Sequence, residues 1–187
     1  MRSAFIFRVG FALLIGAVAS VAEANAQSAP TIPFADFEAL TLGENTTIKE
    51  VIAGAPTMGA LEHMIGGASP TRRCMGSHGI EDCISIWPGL EIRVFHGGPN
   101  WEVQLIRMTT SDWKVFHGSV PLHVGSPVSN LASLFPSAYA QRGELCDHEL
   151  GCADAVSVSP SGWAVGVYFL YDITSGLIQE VRVFAPS

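Results

Sequence analysis

The spacing of apolar residues along this chain switches from a helical period to an alternating one, and then does so a second time. Met58, Leu61, Met64 and Ile65 recur at intervals of three and four after Thr57, with Gly66 and Gly67 behind them. That pattern predicts a helix capped by a hydroxyl and stopped by glycine. A shorter helix is expected just before it. Thr47 and Glu50 stand three apart, so hydroxyl and carboxylate can satisfy each other's backbone donors, and Pro56 ends the segment after Ala53. Beyond Pro70 the period becomes two. Ile84 and Ile86, then Leu90, Ile92 and Val94, then Trp101, Val103 and Leu105 alternate with other positions, and Trp87-Pro88-Gly89 and His96-Gly97-Gly98-Pro99-Asn100 separate the runs. An antiparallel meander follows from this alternation.

The second succession starts at Ser126, an expected N-cap with Pro127 in the first helical position, and carries the stripe Val128, Leu131, Leu134 and Phe135 until Pro136 stops it. Alternation returns in Val156 and Val158, in Trp163, Val165, Val167, Phe169 and Tyr171, and in Val181 and Val183, with the last hairpin turn at residues 172–176. Residues 89–95 match residues 162–168 at a separation of 73, and Ile106-Arg107-Met108 matches Val181-Arg182-Val183 at a separation of 75. The expected fold is therefore α+β, two tandem helix-plus-antiparallel-sheet modules. Residues 45–110 form the first, and residues 111–187 form a connector carrying Trp113 followed by the second. Residues 27–44, with Pro30, Pro33 and a loose Phe34 and Phe37 pair, read as an extended N-terminal arm.

Residues 1–26 are excluded from that fold. Arg2 and Arg8 precede an apolar run at residues 9–21, too short to span a bilayer comfortably, and Ala24-Asn25-Ala26 is a small-x-small site. This is a signal peptide by pattern, with cleavage expected before Gln27 and no stable membrane anchor. The mature chain of 161 residues keeps 8 basic and 16 acidic residues, a net charge of −8. That balance argues against nucleic acid as a partner, because phosphate contacts need clustered Lys and Arg. Arg72-Arg73, the tight basic pair, reads as a solvated strand edge.

The predicted compartment decides how the cysteines are read. Cys74 with Cys83 and Cys146 with Cys152 are expected to close two local disulfides across turns, at matching places in the two modules. Cross-module pairing, Cys74 to Cys146 and Cys83 to Cys152, is an alternative connectivity. A zinc site using His78 and His148 is a second alternative, but the cysteine spacing does not fit a paired knuckle and thiols oxidise in the periplasm.

Residues 118–126, Gly-Ser-Val-Pro-Leu-His-Val-Gly-Ser, with Leu131 and a spaced cysteine pair, resemble the second half of an envelope-stress-regulated periplasmic lipoprotein family of unknown function. The layout of two helix-then-sheet copies is similar, more loosely, to the beta-lactamase-inhibitor-protein and outer-membrane-assembly lipoprotein folds. The lipidation cysteine of the lipoproteins has no counterpart after Ala26. The resemblance implies a periplasmic accessory protein and brings no catalytic residues with it.

Catalytic patterns are weak. No Gly-x-Ser-x-Gly elbow or Gly-rich phosphate loop occurs, and Asp147-His148-Glu149, the densest ionisable cluster, reads as a polar hairpin tip between two cysteines. His96 and His117, each beside glycine, read as turn residues. Trp101 and Trp163 fall on the apolar phase and are expected in the core, whereas Trp113 lies off any apolar phase between Asp112 and Lys114 and is expected to be exposed for binding. The sequence thus points to a secreted or periplasmic protein without catalytic or cofactor-binding residues, binding an envelope or extracellular protein. The alternative is a small secreted hydrolase with its site near Asp147, His148 and Glu149.

Overall fold

The computed structural model describes residues 31–66, 69–77, 79–147, 151–160 and 165–185. Among the described residues, five short helices accompany thirteen strands arranged in two sheets, a mixed α+β fold. The larger sheet takes its core from two meanders. One is β4 (Thr71–Ser77), β5 (Ile80–Trp87), β6 (Leu90–His96) and β7 (Trp101–Met108); the other is β10 (Gly143–Asp147), β11 (Gly151–Pro160), β12 (Gly166–Asp172) and β13 (Leu177–Phe184). Each meander is antiparallel throughout, as the alternation predicts, and the last strands of the two, β7 and β13, pair with each other. Strand β1 (Thr31–Ile32) adds in parallel beside β11.

The register of the β7–β13 seam is symmetric. Val181 lies opposite Met108, Arg182 opposite Arg107 and Val183 opposite Ile106, so the segments matched at a separation of 75 face each other antiparallel about the two arginines. A β-bulge interrupts both meanders at corresponding places. Gln104 is the inserted residue opposite Arg93 and Val94, and Gln179 the inserted residue opposite Leu170 and Tyr171. Through these pairings Leu90 corresponds to Val167, a separation of 77 and not 73, and Gly89 corresponds to Gly166. The four-residue difference from the alternation match leaves every side chain on its expected face, because four is a multiple of the strand period.

Both disulfides are local and join directly opposed residues, Cys74 to Cys83 and Cys146 to Cys152, with Cα atoms 4.1 and 4.0 Å apart. They are not strictly equivalent. Along the matched strands β5 and β11, where Ile84 corresponds to Ala155, Cys152 falls two residues from the place of Cys83.

Thr47 and Glu50 form the expected capping box at the start of α2 (Ile48–Ala53), and Thr57 accepts a hydrogen bond from the Ala60 backbone at the start of α3 (Met58–Ile65). The second helical region differs from expectation. Ser126 caps no helix; it is buried and accepts from the His123 backbone, while residues 125–128 are stitched to the start of β13 by backbone bonds. Helix α4 (Asn130–Leu134) begins later, and Pro136 opens α5 (Pro136–Ala140) where it was expected to end a helix. Proline's fixed φ and missing donor suit both ends of such a junction, and Phe135 before it takes a non-helical conformation, φ −134° and ψ 65°, that breaks the first helix.

The arm expected over residues 27–44 is integrated into the fold from residue 31. After β1 come α1 (Phe34–Glu38), with Phe37 buried, and β2 (Leu40–Leu42), whose two leucines are buried. Strands β3 (Thr46–Thr47), β2, β8 (Val115–His117) and β9 (Val120–Leu122) form a second sheet in the order β3-β2-β8-β9, so the supposed connector is structured as well. Residues 1–26, expected to be a signal peptide, lie outside the described residues, and no described helix is long and apolar enough to cross a membrane.

Candidate functional site

The large sheet has two unlike faces. On the first, Leu90, Ile92, Val94, Ile106, Met108, Val156, Val158, Phe169 and Val181 join one core with Phe37, Val51, Leu61, Leu131 and Phe135 from the helices and their flanks. On the second, Leu105, Ala155 and Leu170 are buried outside that core, among half-exposed Ile84, Ile86, Phe95, Tyr168 and Phe184. Strand alternation places these side chains together, and the cross-strand pairs Ile84 with Arg93, Leu105 with Phe184 and Leu170 with Glu180 run across the surface.

Several charges on this second face are paired. Arg93 meets Asp82 at 2.7 Å. At the β7–β13 seam Arg107 makes a fork-like contact with both Glu180 oxygens at 2.8 and 3.1 Å, and Arg182, which is 8% exposed, donates to the same carboxylate. Burial pushes the Glu180 carboxyl up, but the hydrogen bonds and charges of the two arginines outweigh it and hold the group below its ordinary value. The same bond holds the Arg107 guanidinium charged, aided by Glu91 directly across β6. A small pocket of about 160 Å³ opens beside this ladder between Ile86, Gly89, Glu91 and Arg107.

A second concavity contains the tryptophan singled out in the sequence. Trp113 is half-buried where exposure was expected. Its indole N–H donates to the Pro88 carbonyl at 2.9 Å and its ring meets Trp87 edge-on with centroids 6.3 Å apart. The signal missed was the 25-residue span to Pro88, because packing between a loop and a distant turn leaves no periodic trace. An open pocket of about 270 Å³ is lined by Trp113 and Phe116, by Leu42 and Ile65, and by the charged residues Glu44, Asp112 and Lys114.

The other sequence candidates are not brought together. Both cysteine pairs are oxidised, so no cysteine among them is left as a thiolate to hold a metal. His78, His148, Glu149 and Trp163 lie outside the described residues. Asp147 is placed at the end of β10, opposite Gly151. His96 and His117 are strand residues and not turn residues: His96 stacks on Trp101 at 4.6 Å, and His117 meets Phe135 edge-on at 5.0 Å. Trp101 is itself half-buried, packed against the margin of the core.

Comparison of the chain with protein-family models, with curated proteins and with solved structures returns no match.

Proposed function

We propose that this chain is a non-catalytic binding module of the periplasm or extracellular space, built from two copies of one helix-plus-sheet unit, and that it presents the second face of its large sheet to a protein partner. The observation that carries the reading is that face itself. It combines half-exposed Ile84, Ile86, Phe95, Tyr168 and Phe184 with the ion pairs of Arg93 with Asp82 and of Arg107 and Arg182 with Glu180, as protein interfaces combine apolar anchors with paired polar groups. Ion pairs that are preformed cost little further ordering when a partner arrives. The symmetric β7–β13 seam and the paired bulges at Gln104 and Gln179 support the duplication. The two disulfides fit an oxidising compartment.

Site-specific photocrosslinking tests the reading. A photoreactive residue at Phe95 or Ile84 is expected to capture one discrete partner from envelope or culture extract, and a residue at Lys49, on α2, is expected to capture none. Equal capture from Lys49, or none from the sheet face, overturns the proposal.

A further inference from the structure

The Trp113 pocket is separate from the sheet face and has its own chemistry. Its walls are held by hydrogen bonds that do not involve the space inside. The indole is tied to Pro88, the Gly43 backbone donates to the Lys114 carbonyl at 3.0 Å, and the Thr46 hydroxyl donates to the Met64 carbonyl at 3.0 Å beside Ile65. The β2–β8 ladder fixes Leu42 against Val115, next to Phe116. A site braced in this way needs little ordering on binding.

Its size and lining select the ligand. At about 270 Å³ and open to solvent, the pocket is smaller than the usual range for drug-sized ligands and suits one side-chain head or one small ion. Trp113 and Phe116 bring two aromatic rings to its lining, and aromatic rings attract cations through their electron-rich faces. Glu44 and Asp112 add two carboxylates against the single ammonium of Lys114. Unlike Glu62, Asp82 and Glu180, which hold arginines, Glu44 and Asp112 make no ion pair among the described residues, and Lys114 makes none either. Two unneutralised carboxylates beside two aromatic rings favour a positive guest, and Lys114 opposes it.

We propose that the Trp113 pocket is a seat for one organic cation, a guanidinium or alkylammonium head. Such a head is carried either by a basic side chain of a protein or by a free small amine. This assignment does not depend on the sheet-face reading, since it concerns different residues and a different measurement.

NMR titration of the full chain, following the Trp113 indole N–H, provides the test, with Trp113→Phe used only to assign that resonance. The blocked tripeptides Gly-Arg-Gly and Gly-Lys-Gly are expected to shift it saturably, and Gly-Gln-Gly is expected to leave it in place. Removing both carboxylates with Glu44→Gln and Asp112→Asn should weaken binding about tenfold, and Lys114→Ala should tighten it about threefold, as exposed charge pairs allow. These three positions are exposed, and an unchanged thermal melt shows that the fold is intact. Free ethylguanidinium separates the sources: tighter binding of the arginine peptide assigns the seat to a protein side chain, and equal binding assigns it to a small amine, either result upholding the cation seat. An equal shift with the glutamine peptide, no saturable shift with either basic peptide, or affinity indifferent to the charge substitutions overturns it.

Discussion

Arg107 and Arg182 stand directly opposite each other across the β7–β13 seam, and both donate to the one carboxylate of Glu180. Two like charges on facing strands repel unless a counter-charge separates them. Glu180→Gln should therefore destabilise the chain by about 2–3 kcal/mol, less than for a fully buried pair because Arg107 remains partly solvated. Urea unfolding checks the value. Replacing all three residues with leucine should cost less than Glu180→Gln alone, since no charge is then left without its partner.

Acid should act through the same carboxylate. Its folded pKa lies below its ordinary 4.5, so between the two values the unfolded chain binds more protons and stability rises with pH. The contribution is fully present above about pH 5 and is lost as pH falls through the lower folded value. Asp172, held down by hydrogen bonds from Ser175, and Glu50, held down by Thr47, act in the same direction. Unfolding midpoints measured from pH 6 to pH 2 should fall for the wild type and fall less steeply for Glu180→Gln.

The two disulfides close short loops, with cysteines nine and six residues apart. Removing either with a Cys→Ala pair should cost about 2–3 kcal/mol by loop-closure entropy, slightly more for Cys74 and Cys83. Denaturant unfolding of each variant measures this, and a non-reducing peptide map should return the two local pairs.

Thr47 accepts the Glu50 backbone donor at 3.1 Å while Glu50 accepts from the Thr47 backbone at 2.9 Å. Thr47→Ala removes one arm of this box and should destabilise by about 1 kcal/mol, whereas Thr47→Ser should be close to neutral. Thermal melts of the two variants distinguish the cap from general packing.

Gly54 has φ +74°, and a Cβ there would lie 1.8 Å from the Trp101 carbonyl oxygen. That carbonyl accepts from Ala55 in the bridge joining α2 to the sheet. Gly54→Ala should cost about 3 kcal/mol, from the left-handed backbone and the displaced bridge together. Urea titration reads the loss, and hydrogen exchange at the Ala55 and Trp101 amides should report the bridge opening first.

Legibility followed the range of the forces. The box at Thr47 and Glu50, the stripe from Met58 to Ile65 and the alternation of β5, β6, β7, β11 and β13 depend on neighbours within a few residues, and each is visible in the order of residue types. Strand β4 carries no alternation because all seven of its residues are exposed at the sheet edge, and residues 31–42 gave no period because α1 and β2, five and three residues long, are each shorter than two cycles of their repeat. Of the candidate site, Trp113 was legible as an unusual residue, but its pinning to Pro88 and the pocket beside it were not.

The sequence by itself determined the alternation of helix and sheet, the sidedness of most strands and the first two caps, because side-chain period and capping are properties of nearby residues, whereas the choice of local over cross-module cysteine pairing came from the structure. Only the tertiary structure decided that the two meanders join at β7 and β13, that Arg107 and Arg182 share Glu180, and that Glu44, Asp112, Trp113 and Phe116 line one pocket. Those contacts join residues tens of positions apart, and their geometry is set by how whole sheets and turns pack.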